Sequence, residues 1–401
     1  MKRKLTTTAE EKNVAETAWS GTAPILKIEN FCCIKDLTVE FRRVVIFIGE
    51  QASGKSVTCK LYYYFTQALQ KVVASCLRDG LDVDGFRKRL VQEFRAIFPE
   101  TAWFQDTFSI DWCFGLQHVS LTHKRGNKRI KLELFDYNDR YQRALEKVQS
   151  FCSARHGHDE FEERWRYGRF VDKALAEEFP LVNVDYIPAG RSFFSTIQDV
   201  IFSLLSNNVG IDYFLKEFGQ KLEFFRRRRY MVSEGEGRIE LFERLCQQIL
   251  HGAYHFDGKE QWIVADKDHK IRLADASSGQ QEALPLLMFL TNFAAFSRRS
   301  VINRILIEEP EAHLYPTAQQ TIMDAIGKIL QGGETIGCII TTHSPFILCC
   351  INNVLKRQHR LQSSVSAYHL HDGIGDGIYN TDFGMIDAER FDDMSLGIAN
   401  G

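Results

Sequence analysis

The chain has 401 residues, of which 44% are hydrophobic, and a formal net charge of −2 at pH 7. A chain of this length can bury a large core, either in one elaborated domain or in two lobes. The small net charge excludes a strongly basic nucleic-acid binder on overall charge alone, although it leaves local basic patches open.

The ten cysteines include no CxxC pair and lie mostly in apolar segments. This favours reduced, buried thiols and a cytoplasmic location over a zinc site or a disulfide framework. Residues 1–24 are polar and lack the apolar stretch of a signal peptide, so we expect a flexible N-terminal tail. No apolar run reaches the roughly 18 residues of a membrane span, so no membrane association is predicted.

The first predicted elements after the tail are strands. ILKIENF (25–31) and LTVEF (37–41) alternate apolar and polar residues, as paired strands do. RVVIFIG (43–49) is almost continuously apolar, which is typical of a buried parallel strand. A helix is predicted over about 55–74, and the pattern of 108–135 predicts a hairpin.

The middle of the chain is charged and helical in pattern from about 139 to 180, and mixed from 194 to 256. A second hairpin is predicted at 262–275. Two helices and two buried strands then alternate along the chain, at 281–297, 304–309, 316–331 and 337–343.

GEQASGKS (49–56) is the strongest motif, because it fits GxxxxGK[ST] and lies between a predicted buried strand and a predicted helix. Gly49 and Gly54 allow a backbone path whose amides face the β-phosphate of a nucleotide. Lys55 can bridge the β- and γ-phosphates, and the Ser56 hydroxyl can ligate Mg²⁺. We therefore predict ATP and Mg²⁺ as cofactors, with these nucleotide-binding residues: Gly49, Glu50, Gln51, Ala52, Ser53, Gly54, Lys55, Ser56 and Val57.

Two glutamates follow a buried run in ILIEEPEAHLYP, at the carboxyl end of a predicted strand, where α/β sheets place ligands. By position, Glu308 is predicted to hold Mg²⁺, directly or through water, and Glu309 to polarise the attacking water. His343 follows the next predicted strand, where a neutral imidazole can bond a γ-phosphate oxygen or that water. Lys55, Glu309 and His343 are thus the predicted catalytic residues.

SSGQQE (277–282) precedes a strongly apolar helix and has two interpretations. Ser277 or Ser278 can cap the helix by accepting hydrogen bonds from its first amides. Alternatively, the segment is half of a nucleotide site that a second subunit completes.

The motifs GEQASGKS, SSGQQE, ILIEEPEAHLYP and TTHSP, taken in order, resemble those of the ABC-type ATPase head. This head is shared by SMC-like proteins and the overcoming-lysogenization-defect (OLD) group, which includes stand-alone ATPase subunits of PARIS-like and Septu-like phage-defence systems. The resemblance covers roughly residues 25–75 and 260–355.

The resemblance implies an α/β fold with a P-loop core sheet, an antiparallel β subdomain and a helical lobe inserted between P-loop and signature. The implied boundaries are a tail at 1–24, the N-terminal half of the head at 25–138, the helical lobe at 139–256 and the C-terminal half of the head at 257–401.

It also implies a homo-oligomer in which two heads enclose two ATP molecules. Ser277 and Gly279 would then contact the γ-phosphate held by the opposing subunit, and Ser278 and Gln280 would lie in the same nucleotide-binding turn. The usual signature LSGGQ appears here as ASSGQ, with Ser278 in place of the first glycine. The predicted metal ligand is Glu308 rather than Asp, as often occurs in the OLD-like group.

Spacing separates the relatives that share these motifs. More than 200 residues lie between P-loop and signature, a longer interval than in transporter ATPases, and no heptad run predicts the long arms of an SMC protein. Only 58 residues follow His343, which is too few for the TOPRIM nuclease domain of OLD-type enzymes.

The resemblance therefore implies a sensor or regulator of a separate effector, a nuclease, in antiviral defence. One alternative is an SMC-like ATPase that binds duplex DNA during repair or remodelling. A scaffold that retains ATP and hydrolyses it slowly is another.

Four features keep two interpretations each. Arg191 in YIPAGRSFF faces a nucleotide or partner, or is a surface arginine. Arg226–Arg229 contact nucleic-acid phosphates, or form a solvated helix face. RHGHDE (155–160) holds a metal, or is charged surface. The Q-loop glutamine is Gln105 or Gln117 if either, and neither has a distinctive context.

Overall fold

The computed structural model describes residues 23–103, 107–124, 130–153, 160–196, 212–228, 236–297 and 301–388. The predicted tail therefore lies outside the described residues except for its last two positions, and so do Gln105, Arg229 and nearly all of RHGHDE.

Sixteen strands lie within these ranges. In chain order they are β1 (Ile25–Phe31), β2 (Ile34–Glu40), β3 (Val44–Gly49), β4 (Phe108–Phe114), β5 (Gln117–His123), β6 (Lys131–Phe135), β7 (Val182–Ile187), β8 (Ala253–Phe256), β9 (Gln261–Val264), β10 (Lys270–Arg272), β11 (Ile302–Glu308), β12 (Ile336–Thr342), β13 (Val365–His371), β14 (Ile374–Gly377), β15 (Tyr379–Asn380) and β16 (Met385–Ile386).

Along the chain, most of the described helices follow one strand of the main sheet and precede another. They are α1 (Lys55–Tyr63), α2 (Leu69–Arg78), α3 (Val83–Ile97), α4 (Tyr137–Ser153), α5 (Glu160–Glu178), α6 (Phe193–Thr196), α7 (Tyr213–Arg228), α8 (Glu236–Leu245), α9 (Ser278–Phe296), α10 (Pro316–Leu330), α11 (Pro345–Arg357) and α12 (His359–Gln362). A π-helical turn, Tyr64–Ala68, joins α1 to α2, and a second one, Cys246–Leu250, extends α8.

The main sheet has 11 strands in the order β6-β5-β4-β1-β2-β14-β13-β3-β12-β11-β7. Strands β13, β3, β12, β11 and β7 are parallel, and β6, β5, β4, β1 and β2 are antiparallel. Strand β14 joins the two parts, because it pairs antiparallel with β13 and parallel with β2.

The burial of each strand follows its place in the sheet. β3, β11 and β12 are buried along their whole length because both faces of the parallel part are covered. In β3, Val45 and Phe47 belong to the core that contains residues of α1 to α5, whereas Val44, Ile46 and Ile48 belong to the core that contains residues of α9 to α11.

The predicted α/β fold is confirmed, and its P-loop strands and antiparallel strands form one large mixed sheet. The parallel order brings the carboxyl ends of β3, β12 and β11 side by side, and each is followed by one of the predicted motifs. Among the described residues, no helix is long and apolar enough to cross a bilayer, and the cysteines there are free thiols.

Candidate functional site

The loop between β3 and α1 forms a tight cradle around the Lys55 side chain. A Cβ at Gly49 would lie 2.1 Å from the carbonyl oxygen of Leu370 in the adjacent strand β13, so only glycine fits there. Gly54 has φ +104°, and a Cβ there would lie 2.6 Å from the side chain of Ile34. Gly54 precedes α1 and supplies no side-chain cap, so the first amides of the helix face the loop, as anion binding requires.

Lys55 is 5% exposed and folds back over this loop. Its Nζ donates to the carbonyl oxygens of Gly49 and Glu50, at 2.7 Å each, and lies 3.4 Å from Ser53 Oγ. Burial lowers the pKa of Lys55, and the carboxylates of Glu309 and nearby glutamates partly offset this effect. The ammonium is therefore held where phosphate oxygens would be better partners than backbone carbonyls.

The remaining loop residues assigned to the nucleotide also lie on this cradle. Gln51 and Ala52 are exposed at its tip, where Ala52 has φ +61°, and Ser56 is exposed in the first turn of α1. Val57, the next residue of α1, is half-buried.

Glu308 is the last residue of β11 and is 5% exposed. Its carboxylate accepts hydrogen bonds from the Tyr186 hydroxyl, at 2.8 Å, and from the Ala189 amide, at 3.2 Å. Burial, with the nearby charge of Glu308, raises the pKa of Tyr186 well above its ordinary value, so this hydroxyl stays a donor. Tyr186 and Ala189 thus fix the orientation of the Glu308 carboxylate, and no part of the sequence pattern had marked either residue for this role.

Glu309 leaves the strand in the left-handed region, with φ +47°. Its amide donates to the carbonyl of Thr341 at 2.9 Å, so the backbone stays fixed to β12. A non-glycine residue in this region stores strain that the surroundings must hold. The result is that the Glu309 side chain, 37% exposed, points across the sheet edge towards His343.

His343 lies between the loop lysine and the strand-end carboxylate. Its Nδ1 is 3.4 Å from Lys55 Nζ, and its Nε2 is 3.1 Å from Glu309 Oε1. Because a protonated lysine can only donate, Nδ1 accepts, and a neutral ring then carries its proton on Nε2 and donates to Glu309. The structure thus brings the three residues predicted to be catalytic into one connected chain of contacts.

Glu311 was missed by the sequence analysis as a site residue. Its Oε1 accepts from the Thr342 hydroxyl at 2.6 Å and from the His343 amide at 2.9 Å. It therefore fixes the backbone that carries the imidazole. In EEPEAH it looks like one more solvated loop carboxylate, and only the fold shows which backbone it reaches.

The signature segment is a helix cap in this structure, as the first of its two interpretations predicts. Helix α9 begins at Ser278, three residues before the predicted start, and Ser277 forms a capping box with Gln280. Gln280 also donates to the carbonyl of Leu250 at 2.8 Å. Ser277 and Ser278 remain exposed, so the cap leaves them accessible to a second molecule.

Gly279 is constrained from within the chain. A Cβ there would lie 2.7 Å from the carbonyl oxygen of His313, in the loop that follows Glu309. The close approach that the sequence assigned to a nucleotide is therefore also needed for packing of α9 against this loop.

Both sequence interpretations of Arg191 were wrong. The side chain is 0% exposed and faces neither solvent nor an open cleft. It donates to the backbone carbonyls of Glu308 and Glu309 and pairs with buried Glu282. Arg191 and Ser192 both bond to Glu282 in α9, and a motif-length pattern does not report such packing.

The arginine run and the Q-loop candidates lie partly within the described residues. Arg226 pairs with Glu223 and lies 4.7 Å from the ring centroid of Phe256, so it is engaged within its own chain. Gln117 is 3% exposed at the start of β5.

Comparison with known proteins gives one sequence match. Residues 192–348 match the sequence profile of the AAA ATPase domain. The match covers less than half of the chain and contains Gly279, Glu309 and His343, but not the P-loop. No curated protein matches the chain.

Several solved structures are similar at low sequence identity. The SMC head bound to the C-terminal winged-helix domain of ScpA is 12% identical, with 89% of this chain and 97% of that chain covered and a TM-score of 0.44. The SMC head domain from Thermotoga maritima is 10% identical, with 90% and 99% covered and a TM-score of 0.39. The recombination mediator RecF is 12% identical, with 89% and 99% covered and a TM-score of 0.33.

The profile match and the P-loop geometry together support ATP hydrolysis as the activity of this chain, as predicted from its sequence.

Proposed function

We propose that this chain is an ABC-type ATPase head in which the P-loop holds ATP and Glu309 directs the attacking water. The observation that carries the proposal is the connected set of contacts from Lys55 through His343 to Glu309. Glu309 and His343 follow the ends of β11 and β12, and Lys55 follows the loop at the end of the adjacent β3, so a γ-phosphate on Lys55 would lie beside both the imidazole and the carboxylate.

Each residue has a defined part in hydrolysis. Lys55 exchanges the carbonyl oxygens of Gly49 and Glu50 for phosphate oxygens. Glu309 accepts a hydrogen bond from water and takes its proton as the oxygen attacks the γ-phosphorus, while the bond to the β–γ bridging oxygen breaks. His343, fixed by Glu311, donates from Nε2 and keeps the Glu309 carboxylate aimed at the water.

Ser56 and Glu308 suit Mg²⁺ by their chemistry. They supply hydroxyl and carboxylate oxygens, the ligand type that this ion takes. Tyr186 and Ala189 orient the carboxylate with neutral donors, so its charge stays available. When bound, Mg²⁺ neutralises charge on the β- and γ-phosphate oxygens.

We also propose that a second copy completes the site. Ser277 and Ser278 are exposed at the N-terminus of the long helix α9, where amides and the helix dipole favour an anion. The P-loop already supplies such a terminus to the nucleotide of its own chain, so the second one is available to the γ-phosphate of the opposing copy. Closure of two heads on ATP then requires the closed state to bind ATP better than the open state.

The cellular role that we propose is control of a separate effector, a nuclease, in antiviral defence. Its support is the ordered motif set, which resembles the stand-alone ATPases of the OLD-like group, and the span from P-loop to signature, whose described residues hold the short helices α2 to α8 and no long arm. Copurification of this chain with the product of the neighbouring gene, with and without ATP, tests this role.

A mixing experiment tests the shared site. Lys55→Ala and Ser277→Arg chains should each be inactive, because each spoils both sites of its own dimer. Mixed in equal amounts, they should regain measurable turnover, at most about one quarter of wild type, since half of the dimers carry one intact site.

The control replaces the second chain with one that carries both substitutions, which cannot form an intact site with Lys55→Ala. Equal turnover in the two mixtures would contradict a site shared between copies.

A further inference from the structure

Arg191 holds the turn that carries the proposed hydrolytic residue. It lies on the turn after β7 and is 0% exposed. Its Nη1 donates to the carbonyl oxygen of Glu308 at 2.8 Å, and its Nη2 donates to that of Glu309 at 3.1 Å. One guanidinium thus spans two successive carbonyls, a geometry that suits its planar fork.

The same arginine contacts the helix that begins with the signature. Its backbone amide donates to Glu282 Oε2 at 3.0 Å, and its Nε lies 3.2 Å from that oxygen. The amide and hydroxyl of Ser192 fill Glu282 Oε1, at 3.1 and 2.7 Å. Glu282 is 2% exposed and lies in α9, one turn beyond Ser278.

The backbone at Glu309 needs such support. Its φ of +47° is unfavourable for a side chain with a Cβ and persists only where neighbouring groups fix it. Arg191 is a suitable support, because its buried charge is itself fixed by a buried carboxylate and cannot move without breaking that pair. Arg191 and Glu282 therefore link the first turns of α9 to the Glu308–Glu309 peptide through two side chains.

We propose that Arg191 is a positioning residue that couples the signature turn to the hydrolytic carboxylate. Binding of the opposing nucleotide to Ser277 and Ser278 fixes the position of α9. Glu282 in α9 then fixes the position of Arg191, and Arg191 fixes the backbone from which Glu309 projects. The proposal rests on the proposed function. It adds a route by which the ATP held by the opposing head, once the two heads have closed, controls hydrolysis of the ATP held by this head.

Arg191→Lys tests the positioning role. Lysine keeps the charge but lacks the fork that spans two carbonyls. We expect kcat for ATP to fall about 10- to 100-fold, because a small misplacement of a catalytic group has effects of this size. Binding of a fluorescent ATP analogue should stay within about twofold of wild type, since Arg191 has no part in the proposed ATP contacts.

Arg304→Lys is the matched control. Arg304 is also buried, at 1% exposed, and donates to the backbone carbonyl of Phe41 at 2.8 Å, but it lies near the amino end of β11, away from the site. It should keep wild-type kcat. If Arg191→Lys folds poorly by circular dichroism, Glu282→Gln provides a second test from the other side of the pair, with the same expected pattern.

A double-mutant cycle separates coupling from general structural damage. Ser277→Ala should lower kcat by a larger factor in the wild-type background than in Arg191→Lys, because the route through Arg191 is already broken there. Independent, multiplying effects would overturn the coupling proposal. An inactive wild type, or full turnover by Lys55→Ala, would instead overturn the proposed function.

Discussion

At the scale of single residues, the polar groups near strand ends could be predicted from the sequence. The residues that hold them in position could not. Lys55, Glu309 and His343 each follow an apolar run, and the edge of a parallel sheet must bring such residues together. Arg191 and Glu311 act through contacts between distant segments, and their burial depends on how whole loops pack. A sequence pattern confined to one segment has no access to that packing.

The buried ammonium of Lys55 makes a pH-dependent prediction. Burial lowers its folded-state pKa below the ordinary 10.5 of the unfolded chain. The unfolded chain therefore binds the proton more tightly than the folded chain. Between these two pKa values, the unfolding free energy of the wild type rises with pH. Lys55→Met removes this contribution, so the unfolding free energy of wild type minus that of the variant should increase with pH on approaching 10.5.

Urea unfolding of the two proteins without nucleotide, at a series of pH values from neutral upwards, measures this difference. A difference that stays constant or decreases would contradict a lowered pKa for Lys55.

At the scale of elements, the predicted strands and helices lie close to their observed bounds, and the start of α9 shows what limits such predictions. The helix is predicted from residue 281, but the capping box at Ser277 and Gln280 starts it at Ser278. A cap adds polar residues to a helix, so hydrophobic periodicity alone places the start too late.

Substitutions at Ser277 separate the cap from the proposed nucleotide contact. Ser277→Ala removes the cap and should lower the unfolding free energy by about 1 kcal/mol. Ser277→Asp keeps a capping oxygen and should leave stability near that of wild type, but its charge would face the γ-phosphate of the opposing copy. We therefore expect Ser277→Asp to lose ATP turnover while remaining as stable as wild type.

Chemical unfolding and steady-state ATPase assays of the two variants provide both measurements. Full turnover by Ser277→Asp would leave the segment with the role of a cap alone.

At the scale of the whole molecule, the sequence indicated the α/β class and the presence of parallel and antiparallel strands. It did not indicate how these two groups of strands join. β14 inserts between β2 and β13, far from the P-loop strand along the chain, and no motif marks it. The proposed boundaries of the helical lobe at 139–256 remain a prediction.

In the proposed function, Glu309 takes a proton from the water that attacks ATP held at the P-loop between two heads. Glu309→Gln keeps a side chain of the same shape and removes its capacity to take a proton. It should therefore lose turnover yet retain radiolabelled ATP through gel filtration, eluting as a dimer, whereas Lys55→Ala should retain no labelled ATP. Release of labelled ADP by Glu309→Gln at the wild-type rate would contradict this account.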